Sequence, residues 1–186
     1  SLTGAMITVN SGATLILDNV TVDGAEIRGY EYRGVYVYGK LIMGQRAVLK
    51  NHVNTYGYGS ALYVADYGKV EMNGGEITGC VSTDHGNIFL NKNATFTMGN
   101  GEIYDNSLSG TTSIFGGGAF YVRGTLTIDG GSIHDHKNIT CRGGAIYCAS
   151  MGTVYLNGGE IKNNSVISSR VGDAIFYSSE TETTGR

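Results

Sequence analysis

The chain has no proline and no tryptophan, and only 16% of its 186 residues are charged. A collagen-like structure needs proline and a strict Gly-X-Y period, and both are missing. Three cysteines (Cys80, Cys141 and Cys148) are too few and of the wrong parity for a disulfide framework. Without a Cys-x-x-Cys pair they do not spell a zinc site either. No apolar run approaches the roughly 18–20 residues of a membrane span. Lys and Arg number 13 against 16 Asp and Glu, so the net charge is −3 and the basic face of a general nucleic-acid binder is lacking. The opening Ser-Leu-Thr-Gly-Ala-Met is neither a signal nor a transit peptide.

Glycine and tyrosine are abundant, at 30 and 13 residues, and with 41% hydrophobic residues the chain is not a disordered one. Two phrases recur. Gly-Gly-Ala-Phe-Tyr-Val at 117–122 returns as Gly-Gly-Ala-Ile-Tyr-Cys at 143–148, with variants at 59–64 and 172–177. Asn-Gly-Gly-Glu-Ile stands at 73–77 and again at 157–161, echoed at 99–103 and 129–133. The apolar residue of the first phrase falls at Ile7, Val35, Leu62, Ile88, Phe120, Ile146 and Ile175; that of the second falls at Val22, Val48, Ile77, Ile103, Ile133 and Ile161. Both markers keep a period of about 28 residues. A third alternating segment lies between them, represented by Leu15 and Leu17, Val70 and Met72, and Leu126 and Ile128.

Three short strands per repeat, punctuated by Gly, Asn and Asp and without helical spacing, predict an all-β parallel β-helix of six to seven coils. One domain is expected over 1–177, with a polar tail at 178–186. Three residues after the second marker stand Ala25, Asn51, Cys80, Asn106, His136 and Asn164, a column expected to hydrogen-bond along the axis. Both ends read as cut, so flanking domains or end-to-end self-association are expected to cover the terminal coils.

Gly-Gly-Ala-Ile at 143–146 and Gly-Gly-Glu-Ile-Lys-Asn-Asn at 158–164 resemble the repeats of right-handed parallel β-helix surface proteins, including the polymorphic membrane protein adhesins. The Phe-x-x-Asn phrase of those repeats stands here as Ile-x-x-Asn. The resemblance covers nearly the whole chain. It implies a right-handed coil, a bacterial cell-surface or secreted location, and adhesion to a glycan or host protein; no cofactor is expected. Right-handedness also agrees with the general bias of parallel crossovers.

Strand alternation places Thr8, Tyr36, Tyr63, Phe89, Tyr121, Tyr147 and Phe176 in one outward column. An exposed aromatic stripe suits a sugar or a protein partner. The most variable connections include 26–33, 52–58, 107–116 and 165–171. Tyr30, Tyr32, Tyr56 and Tyr58 fall in two of them and, with Arg28, Glu31 and Arg33, suggest a ligand-binding patch. The alternative is a polysaccharide-acting lyase or hydrolase. For that reading Asp105 and Asp135 share a corner column between Gly79 and Asn163, with Glu76, Glu102, Glu160, His134 and Lys162 near the same face. No metal-ligand spacing occurs: Asp66, Asp84 and Asp173 are scattered. Thr95-x-Thr97 and Thr125-x-Thr127 begin a flat threonine array of the ice-binding kind, but Lys40, Lys69, Glu71 and Tyr155 break it.

Overall fold

A computed structural model describes residues 4–30, 32–110, 115–139, 141–167, 172 and 174–179, with only the backbone described at 28–30. The chain winds into a parallel β-solenoid, and no helix occurs among the described residues. Most of the tail expected from 178 onward lies outside the described residues, as do Glu31 and Asp173.

The first face is a seven-stranded parallel sheet running from Gly4–Val9 through Tyr32–Val37, Leu62–Val64, Ile88–Leu90, Phe120–Val122 and Ile146–Cys148 to Ile175–Tyr177. Its register stacks Ile7, Val35, Leu62, Ile88, Phe120, Ile146 and Ile175, the column expected from the repeat. The second face carries Thr14–Leu17, Lys40–Met43, Thr125–Ile128 and Thr153–Leu156 in the same sheet as two long strands, Lys69–Thr78 and Thr95–Tyr104. Those long strands continue round a bulged corner into the third face, beside Val48–Lys50 and Ser132–His134.

The corner depends on one glycine in each of four repeats, the second of a Gly-Gly pair at 75, 131 and 159 and the glycine after Asn100 at 101. Gly75, Gly101, Gly131 and Gly159 all take positive φ, between 78 and 105°. A Cβ at Gly131 would lie 2.5 Å from the Gly101 carbonyl oxygen of the coil before it. No side chain fits such a gap, so the sequence phrase is a requirement of stacking.

Inward side chains of the three faces form one apolar core, with Leu41, Met43, Leu49, Leu62, Met72, Ile77, Ile88, Phe96 and Phe120 fully buried. Cys148 lies in this wall opposite Val122, and all three thiols are buried and unbridged.

Two expectations need correction. In the second coil the inward residue of the third face is Leu49, which pairs with both Val22 and Ile77; Val48 pairs with Thr21 and is only half-buried. The polar column therefore passes through His52 and not Asn51. Asn51 sits instead at the left-handed corner (φ 57°), in line with Gly79, Asp105, Asp135 and Asn163. A one-residue slip exchanges core and surface positions, and the adjacent apolar pair Val48-Leu49 hides which one is meant. The second correction concerns the variable connections, which contain a fourth short strand. Arg28–Tyr30, Val53–Tyr58, Val81–Asp84 and Ser107–Leu108 pair in parallel, as do Lys137–Asn138 and Ser165–Val166.

Candidate functional site

The outward rings of the first face stack as the register demands. Centroids are 4.6 Å apart for Tyr36–Tyr63, 5.1 Å for Tyr63–Phe89 and Phe89–Tyr121, 5.2 Å for Tyr121–Tyr147 and 5.5 Å for Tyr147–Phe176. Adjacent parallel strands set this spacing, and each aromatic pair contributes from a fraction of a kcal/mol to about 1 kcal/mol. The ladder is not an open stripe, however. Phe89, Tyr121 and Tyr147 are buried, forming a second small core outside the solenoid wall. The segments that precede the first face fold over them: Tyr58 and His85 pack on Phe89, His85 on Tyr121, and Phe115 on Tyr147. Arg142 lies over Phe115 and Phe176 at 5.5 and 5.3 Å. Burial of three large rings rewards this cover, and nothing in strand alternation reveals it.

Toward the first coils the cover ends and the rings reach solvent. Tyr58 stacks on Phe89 at 4.6 Å, and Tyr38 stacks on Tyr36 at 4.5 Å with 13° between the planes. A continuous aromatic band thus crosses the first face through Tyr58, Phe89, Tyr63, Tyr36 and Tyr38. Tyr38 is 44% exposed at one end, and Tyr56 is 56% exposed beyond the other.

Arg33 organises the band from within. Its Nε donates to the Tyr58 carbonyl oxygen at 2.8 Å, and its guanidinium lies 5.4 and 5.0 Å from the rings of Tyr36 and Tyr63. It is buried and so holds the tyrosines in place. Burial is the main cause raising the phenol pKa of both Tyr36 and Tyr63, so both hydroxyls stay protonated and able to donate.

Of the sequence-proposed ligand residues, Arg33, Tyr36, Tyr58 and Tyr63 converge. Tyr30 pairs in backbone register with Tyr56, which brings two of the tyrosine connections together. Tyr32 opens its strand half-buried, and the side chains of Arg28 and Tyr30 lie outside the described residues. Tyr121 and Tyr147, further along the ladder, present no surface.

Tyr38 and Tyr67 escaped the sequence reading. Both line a depression of about 440 Å³ at the turns between the first and second faces, with Lys40, Asp66, Lys69 and Thr14. Tyr38 was legible in principle, since it lies two residues from Tyr36 and so on the same side of the strand.

The third face carries the carboxylates of the alternative reading. Glu76 and Glu102 are in register, and the Tyr104 hydroxyl donates to Glu76 Oε2 at 2.7 Å. His134 stacks on Tyr104 at 5.2 Å, and its Nδ1 lies 2.7 Å from Asp135 Oδ2. That hydrogen bond is the main cause holding the Asp135 carboxyl below its usual range. Glu160 is lowered in the same way by Lys162, 2.6 Å away. Asp105 and Asp135 take φ of 50 and 58°, a corner conformation that Asp and Asn tolerate. The face therefore arranges its charges in local pairs, beside a depression of about 190 Å³ lined in part by Glu76, Asn100 and Glu102. Among the described residues, no group of three or more His, Cys, Asp or Glu is placed to hold a metal ion. No helix among them is long and apolar enough to cross a membrane.

No protein family matches the chain, and neither a curated protein nor a solved structure matches it.

Proposed function

We propose that the chain is a non-catalytic, adhesin-like β-helix module that binds a glycan across the N-terminal half of its first face. One observation supports this above others: the aromatic band is held in a continuous stack, half-buried at Tyr36 and Tyr63, and exposed at both ends, Tyr58 and Tyr38. A rigid tyrosine presents an apolar ring face to the C–H face of a sugar and a hydroxyl to its oxygens, at little entropic cost. The solenoid fixes the spacing of these rings before any ligand arrives, which removes part of the ordering cost of binding. Secretion or display on a bacterial surface belongs to this reading and rests on the likeness of the repeats to surface β-helix proteins.

A glycan array probed with the parent chain and with Tyr38→Ala and Tyr56→Ala variants tests the reading. The parent is expected to retain a defined set of glycans, and each variant to lose about fivefold or more in apparent affinity, the scale of an anchoring aromatic. A parent chain that retains no glycan, or variants that bind as the parent does, overturns it.

A further inference from the structure

We infer that the depression between the first and second faces of coils one to three is a subsite for a sugar that carries a carboxylate. The inference rests on the glycan reading above and adds the chemistry that the ligand must bring.

Tyr67 gives the first reason. The turns at 10–13, 65–68 and 91–94 each close with a backbone hydrogen bond of 2.9 to 3.0 Å between first and last residues. Their third residues, Gly12, Tyr67 and Asn93, have φ of 80, 64 and 62°. Glycine and asparagine adopt that left-handed conformation readily, whereas a tyrosine there is strained. The Tyr67 ring is 73% exposed, so packing does not offset the strain. A strained, solvated aromatic on the wall of this depression is accounted for by what it contacts from outside. Tyr38, held by its stack on Tyr36, supplies a second exposed ring on the same depression.

Charge gives the second reason. Lys40 and Lys69 are direct partners on adjacent parallel strands, at a spacing of roughly 4.8 Å. Like charges so placed repel. Glu71 takes up one of them, with 2.8 Å between Lys40 Nζ and Glu71 Oε1. Lys69 has no ion pair among the described residues and lines the depression. With Lys40 committed to Glu71, the lining offers one ammonium group outside any ion pair, that of Lys69, on a wall shared with the Asp66 carboxylate. A sugar lying on Tyr38 and Tyr67 would direct hydroxyls to Asp66 and a carboxylate to Lys69. Sialic acids and uronic acids both bring this chemistry.

Calorimetric titration of the whole chain with matched pairs tests the inference: sialyllactose against lactose, and a galacturonate tetramer against its methyl ester. The acidic member of at least one pair is expected to bind about two- to fivefold more tightly at low salt, and the difference to shrink as salt rises. The pair that shows it identifies the source of the carboxylate. Lys69→Gln should abolish the preference and leave neutral binding intact, whereas Lys92→Gln, outside the depression, should change nothing. Tyr67→Ala should weaken both members. Equal binding of charged and neutral members, or a preference that survives Lys69→Gln, overturns the acidic subsite and leaves the glycan reading standing. Failure to bind any glycan, on the array as well, overturns both.

Discussion

The backbone N–H of Asn106 donates to Nδ1 of His136 on the next coil, 3.1 Å away. At the equivalent places Cys80 N–H donates to Asn106 Oδ1 at 2.9 Å, and His136 N–H to Asn164 Oδ1 at 3.1 Å. His136 therefore replaces an asparagine in the axial ladder: Nδ1 accepts this bond only while it carries no proton, and once protonated it can donate only to the Asn106 carbonyl oxygen, also 3.1 Å away, which leaves the Asn106 N–H without its acceptor.

That requirement ties stability to pH. Burial pushes the His136 pKa from 6.5 down to about 4, outweighing the Asn106 and Ile103 backbone groups that favour the cation. On acidification the unfolded chain takes up this proton first. The contribution of His136 is thus complete above pH 6.5 and lost as the pH falls toward about 4, by roughly 3 kcal/mol. His52, lowered chiefly by burial, acts in the same direction. The exposed carboxylates Asp23, Asp135 and Glu160 are also lowered, but their contributions fade only at still lower pH. Denaturant midpoints should fall between pH 7 and pH 4.5, and less steeply in His136→Asn than in the parent. Equal slopes would sink the assignment.

Tyr121 offers a gain. Its ring is fully buried between Phe89 and Tyr147, and its hydroxyl oxygen has no hydrogen-bond partner among the described residues. Tyr121→Phe removes a desolvated polar group while keeping the stack, so stability should hold or rise by about 1 kcal/mol. Tyr121→Ala should lose about 3–5 kcal/mol by opening a cavity in the outer cluster. Thermal melting of both variants checks the pair of outcomes.

The Gly-Gly corner should tolerate no side chain. Gly131→Ala would put a Cβ 2.5 Å from the Gly101 carbonyl oxygen at φ 83°. A loss of about 2 kcal/mol or more is expected from strain and local unstacking. Gly99, where a Cβ would meet nothing closer than 3.8 Å, is the control. Gly99→Ala should stay within about 1 kcal/mol of the parent.

Much of this architecture was legible because a solenoid repeats its instructions. Ile7 through Ile175 could be read as one column since each coil restates the same alternation. The Val48-Leu49 ambiguity shows the limit, for two adjacent apolar residues fit either register. The cover over Phe89, Tyr121 and Tyr147 was hidden for another reason. Tyr58, His85 and Phe115 lie in connections of unequal length, so no period links them to the rings they bury. Tyr67 was hidden because its significance lies in a φ angle, and no composition rule flags a tyrosine in a turn.

Asp135→Asn separates binding from catalysis. Asparagine already holds this corner at Asn51 and Asn163, with φ of 57 and 54°. The variant should fold within about 1 kcal/mol of the parent while losing the carboxylate beside His134. Reducing-sugar and unsaturated-product assays on polyuronides and mucin glycans are expected to give no product with either chain. Product from the parent that vanishes in Asp135→Asn would move Asp105 and Asp135 back to an active site.

Tyr67 should display a conflict between stability and binding. A left-handed bulky residue costs about 1–2 kcal/mol, and a ring 73% exposed recovers little of it. Tyr67→Asn restores the residue type that the turn uses at Asn93 and should stabilise the chain by about 0.5–1 kcal/mol, or a rise in Tm of about 1–4 °C. The same substitution should weaken glycan binding, because it deletes the exposed ring of the acidic subsite. A variant that melts higher and binds less would show that the strain is retained for recognition. One that melts higher and binds unchanged would leave the strained tyrosine without a role in binding.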